Sequence, residues 1–531
     1  MDLGSALSIA SSGLNGIEYQ YSVVSQNVAN SSTTGYASES ASVTSAVANN
    51  QGTGVRIGHT VVNVSPYLQS SLYTQNAKVS GLTTSSNSLA AVASVQGSTS
   101  SDSGSTNTLS DALGNVQTAL TSLTSTPLES SAQTAVITAA TSLTDTIHTL
   151  ASTYTQQRQT AEDTIVSTVS TINQNLTQIG QLSKQIMALK AVGSDTADLE
   201  NSRLQVMNDL SSEVGVKFTE TSKGDMVVTT EDGTKLPTRP DQIGLNDNTQ
   251  TLPSNTWPLS ATNGGTASTT ITDSMYYKAG DPTNSPIAGI TVADGTTNTS
   301  STDITSHLTS GTLGANITLR DTTYPTMQAQ LNAFSTTLIN RFTAAGMSLF
   351  TSSSGSSVIS TTATGASSQQ TNLASGITVN ATYSDTPSSL APSGSTTTIT
   401  NVLSTTFGTS SSNVSGSTTL SDGTVVSLDA PTSDLGPGSS LSTGYSATQG
   451  LVALATSLTS NQGATISTAS TNLTYATAVQ TTLSAKVTSV SGVDVNTEMS
   501  KIVALQNAYT ANAKIISSVQ TMFSALLNAI N

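Results

Sequence analysis

Residues 11–36 read SSGLNGIEYQYSVVSQNVANSSTTGY. The run is helix-like, closes on a polar Asn-Ser-Ser-Thr-Thr-Gly-Tyr hook, and contains no basic residue. Extended backwards, it carries a mostly apolar seam of Leu3, Leu7, Ala10, Leu14, Ile17, Tyr21, Val24 and Val28. The alternating steps of four and three are those of a heptad, so the stretch predicts a long helix that needs a partner. Asn30 to Gly35 supply turn chemistry, with Gly35 free to take positive φ. From there to about residue 65 the sequence predicts extended chain.

The other end of the chain mirrors the first. Ile502, Leu505, Tyr509, Asn512, Ile516, Val519, Phe523, Leu526 and Ile530 keep the same alternation, with Asn512 as the polar member that fixes register in a coiled coil. Either seam alone is an ordinary amphipathic helix. Two of them at opposite ends of one chain, both poor in charge, are natural partners for each other.

Composition narrows the function classes. Only 9% of the 531 residues are charged, against about 25% in ordinary soluble proteins. The polarity comes from Ser and Thr, a surface that repels its own copies weakly. A net charge of -15 argues against nucleic acid or an anionic membrane as partner, since both need clustered Lys and Arg. There is no cysteine, which excludes disulfides and thiolate chemistry. No apolar run has the length of a membrane span, and nothing resembles a cleaved secretory signal.

Between the ends, helices are expected from about Thr108 to Ser125, from Glu129 through Ala151 to about Lys190, and over Leu199 to Leu210. The period then changes to two, and Val214, Val216 and Phe218 with Met226 and Val228 flank a Lys223-Gly224-Asp225 turn, a β-hairpin signal. Residues 221–310 hold short strand-like runs such as Ile287 to Val292. A further helix is expected near Tyr324 to Leu349. Residues 351–440 are dominated by Ser, Thr and Gly; an inserted β domain and disorder compete there, and the apolar runs favour the β domain. Helix returns from about Thr448, with a joint at Ser491-Gly492-Val493.

The expected fold is multidomain α+β. The N- and C-terminal helices pair as a coiled coil (1–65 with 487–531). An inner long-helix bundle domain comprises 66–220 with 311–350 and 441–486. Two β-rich outer insertions, 221–310 and 351–440, project from it.

Catalytic chemistry finds no foothold. His59, His148 and His307 are widely separated, none with a second histidine at ligand spacing, so no metal site is expected. No phosphate loop, dinucleotide fingerprint or Gly-x-Ser-x-Gly elbow occurs, and no cofactor is expected. The sequence does not read as an enzyme.

The hook at the end of the first helix carries a resemblance. Asn27-Val28-Ala29-Asn30 followed by Thr33-Thr34-Gly35-Tyr36 is similar to the signature of the flagellar rod, hook and hook-associated proteins. That family usually has a basic residue soon after the Tyr, where this chain has Ala37-Ser38-Glu39. The C-terminus resembles the hook-associated protein 1 branch, the hook–filament junction proteins, through Ser491, Gly492 and Val493, then Asp494-Val495-Asn496-Thr497-Glu498, and the closing Met522 to Leu527. Gly311 to Asp321, Asn340-Arg341-Phe342, and Leu199 to Leu210 with the following hairpin are similar to blocks of that branch.

The resemblance covers about 1–65, 108–235, 311–350 and 445–531. It implies a structural subunit of the bacterial flagellum, exported by type III secretion, that forms the hook–filament junction. Its partners would be further copies of itself, the hook protein, a second hook-associated junction protein and a flagellar export chaperone. The resemblance implies that the two terminal seams, Asn27 to Tyr36 and the Ser491–Val493 joint carry assembly, with the terminal helices largely disordered before it. Another axial protein of hook or rod type, and a secreted adhesin working through residues 351–440, are the alternative readings.

Overall fold

A computed structural model of the chain describes residues 3–48, 51–97, 108–246, 250–261, 269–280, 285–295, 300–360, 371–408, 410 and 414–530. The chain opens with helix α1 (Leu3–Ala29) and strands β1 (Glu39–Ser40), β2 (Val43–Ala48), β3 (Gln51–Ile57) and β4 (Val61–Val62). Four helices follow: α2 (Pro66–Gln96), α3 (Leu109–Ser125), α4 (Ser130–Val192) and α5 (Ala197–Glu213). The hairpin β5 (Val216–Glu220) and β6 (Met226–Thr230) has β7 (Lys235–Leu236) at its edge. Helices α6 (Gly311–Thr318) and α7 (Tyr324–Ala344) come next, and two long helices close the chain, α8 (Leu451–Ser491) and α9 (Val495–Ile530).

Helix α4 is the spine. Its 63 residues span about 95 Å at 1.5 Å per residue. Its apolar stripe enters two separate cores. The first half, with Val136, Leu143, Ile147 and Tyr154, packs with α3, α7 and the start of α8. The second half, with Ile165, Ile172, Leu176 and Ile179, packs with α5, the β5–β6 hairpin and α6. Helix α3 begins with a capping box, in which the Asp111 N–H donates to Thr108 Oγ1 and the Thr108 N–H donates to Asp111 Oδ2. Reciprocal satisfaction of two free amides is why the helix starts there.

Where the two cores meet, the stripe turns polar. Arg158 and Glu162 are buried on α4, and Arg320 lies beside them on a π-helical turn, Leu319–Thr323, that joins α6 to α7. Arg320 Nη1 donates to Glu162 Oε2 at 2.7 Å, and its other nitrogens grip Asp321. The turn widens where Pro325 follows, a residue with no N–H for the helical ladder.

Helix α2 escapes the sequence reading, which assigned 66–220 to the bundle but named no helix over 66–96. Its interior positions mix Leu72, Tyr73, Ala77, Leu89 and Val92 with Asn76 and Gln96, so no single apolar face stands out. The helix is wedged between α8 on one side and α5 and α6 on others. Its buried polar groups bond to those neighbours: Asn76 Nδ2 donates to Asn208 Oδ1, and Gln96 Nε2 to Gln462 Oε1. Gly81 brings α2 against the Gly311 carbonyl, 3.0 Å from where a Cβ would sit.

The stretch 221–310 holds a three-stranded antiparallel sheet of Leu259–Ser260, Thr291–Ala293 and Ser300–Asp303, which contributes Leu259, Ile290 and Val292 to the second core. The stretch 351–440 differs from the β insertion expected. Its described residues hold more helix than strand, including a helix at Thr397–Thr405, beside the two-stranded pairs Phe350–Thr351 with Thr378–Val379 and Ser417–Thr419 with Val425–Ser427. Ile377, Ile399 and Val402 are buried in the same core as α3, α4 and α7. Arg341 on α7 holds this stretch down by donating to the carbonyls of Leu428, Gln449 and Val414. Burial pulls its pKa down to about 10, with the charge of Asp429 opposing.

The terminal unit is built by α1, the β2–β3 hairpin and α9. Gly13 lies against Asn512, and Asn27 against Glu498, so α1 and α9 run antiparallel. Gly16 faces the hairpin, where a Cβ would come within 3.1 Å of Val55 Cγ2. The small residue is what lets the hairpin lie on the helix.

Candidate assembly site

Ala10, Val24 and Val519 are buried in the terminal pair, while Leu3, Leu7, Leu14, Ile17, Val28, Ile502, Leu505, Asn512 and Ile516 are half-covered. Tyr21, Tyr509, Phe523 and Leu526 stand exposed, at 40%, 43%, 40% and 54%. Ala508 is half-covered where Tyr509 is exposed. The side chain of Ile530 lies outside the described residues. The rest of the exposed apolar surface of α9 includes Val495, Met499, Val503, Ile515, Met522 and Leu527.

At the base of the pair, Asn27 is fully buried and satisfied on both sides. Its amide nitrogen donates to the Glu39 carbonyl at 2.8 Å and to Glu498 Oε2 at 3.2 Å. Its Oδ1 accepts the Glu39 N–H at 2.8 Å and the Tyr36 hydroxyl at 3.1 Å. One side chain thus ties the end of α1, the strand after the turn and the start of α9. Asn30 closes the helix, with its N–H on the Gln26 carbonyl, and Gly35 adopts φ +81° in the turn that follows.

The joint before α9 meets the same strand. The Ser38 N–H donates to the Ser491 carbonyl at 2.6 Å. The Gly492 N–H caps α8 on the Thr488 carbonyl, and a Cβ at Gly492 would sit 2.5 Å from that oxygen, so the position excludes a side chain. Val493 passes the chain to Asp494, which accepts the Asn496 N–H and the Thr497 hydroxyl at the start of α9.

A stripe on α5 grips the unit from the other side. Asp195 precedes the helix, and Asp198, Asn201 and Gln205 follow at helical spacing. Asn201 exchanges hydrogen bonds with both backbone groups of Ala37, and its amide donates to Glu39 Oε1 at 2.7 Å. Gln205 donates to the Thr34 carbonyl and Gln26 to Asp198. Asp195 accepts from the Thr60 N–H and the Tyr19 hydroxyl.

Burial raises the pKa of Glu39, and the charges of Asp198, Asp195 and Glu200 add to it against the Asn201 amide. Burial pushes Asp195 the same way, but the Thr60 hydroxyl and the amides of Ala197 and Thr60 outweigh it and hold its pKa low. The Tyr36 hydroxyl is pushed well up by burial and by Glu39.

Of the residues singled out in the sequence, Asn27, Asn30, Gly35, Tyr36, Ser491, Gly492 and Val493 come together around this base. Asn201, Asp195 and Asp198 were missed; the only signal was polar residues at steps of three on a helix, which any solvated face shows. A cleft of about 660 Å³ opens beside the base, between the Ser31–Ala37 turn, α2, α5, the end of α8 and the joint. Among the described residues no cluster of His, Asp and Glu is placed to hold a metal, and no helix is long and apolar enough to cross a membrane.

Comparison with known proteins gives two family matches. The model for the helical domain of the flagellar hook-associated protein FlgK matches residues 98–357. The model for the C-terminal region of the flagellar basal body rod FlgEFG proteins matches residues 486–529. Together they span more than half of the chain. The solved structure of the flagellar hook junction protein FlgK from Burkholderia pseudomallei is similar at 21% identity with a TM-score of 0.39, over 54% of this chain and 45% of that one. The chain therefore spans less than half the length of that relative. No curated protein matches significantly.

Proposed function

We propose that this chain, a member of the flagellar hook-associated protein family, is a structural subunit of the hook–filament junction that assembles through its terminal helices. One observation carries the reading. Among the described residues helix α9 packs chiefly against α1, and Val495, Met499, Val503 and Ile515 leave apolar surface open along the rest of it. An exposed face of that kind, with few charges to keep copies apart, suits burial against neighbours. Neighbouring subunits then meet through unlike faces, a contact that propagates rather than closes.

On this reading the protein is exported to the flagellum outside the cell by type III secretion, escorted by an export chaperone. It contacts hook protein below and a second hook-associated junction protein above. The polar base fixes the angle between the terminal pair and the helical body. The terminal helices settle fully only when neighbours cover them; slow amide exchange along both helices in the free monomer would refute that part.

The test is electron microscopy of cells lacking the gene, with the medium assayed for flagellin. Hooks without filaments and flagellin shed into the medium are expected. Missing hooks would assign the chain to the hook or rod, and normal filaments would overturn the junction role.

A further inference from the structure

From Met327 to Thr343 every residue of α7 is buried, but its faces are covered by different means. One face carries Leu331, Phe334, Leu338 and Phe342 into the first core. On another, Ala329, Gln330, Ala333 and Arg341 follow at helical spacing beneath residues 414–449.

The loop 414–449 starts and ends at one side chain. Arg341 Nη2 donates to the carbonyl of Val414 at 3.2 Å and Nη1 to that of Gln449 at 2.7 Å, while Nε takes the Leu428 carbonyl between them at 2.9 Å. A loop with its ends held together is a compact unit that packs on its own side chains. Inside it, Ser417–Thr419 pairs with Val425–Ser427, Leu435 and Leu441 exchange backbone hydrogen bonds, and the Thr443 N–H returns to the Thr432 carbonyl.

Its hold on the body is slight. Leu435 and Leu441 close on Ala329 and Ala333 in a cluster separate from both main cores. Ala430 reaches the first core, with Tyr445 and Ala447 at its margin. The neighbouring residues 373–407, by contrast, sink Leu373, Ile377, Leu390, Ile399 and Val402 into that core. Charge singles out the same latch. The loop carries Asp422, Asp429 and Asp434, and no Lys, Arg or His lies between Arg341 and Lys486.

We infer that residues 414–449 form a lid that opens as one unit about Arg341, baring its guanidinium and the stripe of α7 while both main cores stay closed. Hydrogen bonds to neutral carbonyls are replaced by water when the lid lifts, so opening forfeits far less than parting a core. The guanidinium, which burial disfavours, regains its hydration at the same step.

Amide exchange of the full chain in low urea, followed by mass spectrometry, tests this. The amides of Leu420, Leu428, Leu435, Leu441 and Thr443 are expected to exchange together, ahead of those in α3, α4 and Thr397–Thr405. Arg341→Lys keeps the charge but loses the planar fork that meets three carbonyls. It should quicken the lid amides about tenfold or more and leave α3 and α4 unchanged. Leu435→Ala, on one side of the lid, should quicken Leu420 and Leu428 on the other as well. Phenylglyoxal, which modifies accessible guanidinium groups, should label Arg341 before Arg158 and Arg320, the buried arginines where the two cores meet. Lid amides that exchange only together with α3 and α4, or a Leu435→Ala effect confined to its own surroundings, would overturn the lid. So would equal acceleration of lid and cores by Arg341→Lys, or an Arg341 labelled no sooner than Arg158 and Arg320.

Discussion

The first core of α4 and the terminal pair are both made of long, weakly charged helices, yet they spend their apolar residues differently. In the core, Leu113, Leu120, Leu143, Ile147 and Phe342 are all at 0% exposure, enclosed by α3, α4 and α7. In the terminal pair α1 meets one side of α9 and the other side is left open. The same heptad-like spacing therefore means self-sufficiency in one place and an unmet need for neighbours in the other. Periodicity reports that a face wants covering; only the surroundings say whether the chain covers it itself.

That contrast predicts different consequences for mutation. The largest loss of stability is expected at the polar joint between the two cores of α4. Arg320→Ala leaves Glu162 and Asp321 without their cation, and breaking a buried pair costs about 3–5 kcal/mol. Urea unfolding of the purified chain would show it as a lowered midpoint. A change below about 1 kcal/mol would mean that the joint is open to water and the two cores are less closely joined than described.

Asn27→Ala comes next. It strips partners from the N–H and carbonyl of Glu39, from the Tyr36 hydroxyl and from Glu498, and unsatisfied buried groups cost about 1–3 kcal/mol. The loss belongs to the terminal unit rather than to the helical body. Amide exchange should therefore quicken around Glu39 and the start of α9 while α3 and α4 keep their protection. Uniform acceleration would show that the two regions unfold together.

A smaller effect follows from the charge on Glu39. Its folded-state pKa is raised, so between the ordinary value of an unfolded Glu, about 4.3, and the raised value, the folded chain holds more protons than the unfolded one. The terminal unit's stability must then fall as pH rises through that window, and the penalty remains in full above it. Glu39→Gln keeps an acceptor for Asn201 and removes the titration. The variant is expected to exchange the Ala37 and Glu39 amides more slowly than the parent at neutral pH and to lose that advantage in acid. An advantage independent of pH would show that Glu39 is not the titrating group.

How far the fold could be read from the sequence follows the same division. Helices α1, α3, α4, α5 and α9 announce themselves because each has an apolar face, and the β5–β6 hairpin because its period is two with Lys223-Gly224 between. Helix α2 does not, since Asn76 and Gln96 occupy interior positions and several neighbours share its surface. The 351–440 stretch misleads because Ser and Thr look alike in coil, strand and helix, and Arg341, which organises it, lies outside it. At the base, the turn and the joint were legible as local chemistry. Asn201, which holds the chain just after the turn, was not, because it lies more than 160 residues from it.

The smallest expected change in stability tests the comparison most directly. Val503 is an apolar residue of α9 that stands 54% exposed. Val503→Ser removes little buried area in the single chain, so unfolding should shift by no more than about 0.5 kcal/mol. On a surface that neighbours cover, the same change buries a hydroxyl at every contact between subunits, and the small penalties accumulate with each copy. Filaments are then expected to be shed from hooks in cells whose purified protein is as stable as the parent. Loss of stability together with assembly would place Val503 in the chain's own core. Retention of both would remove this face of α9 from the junction.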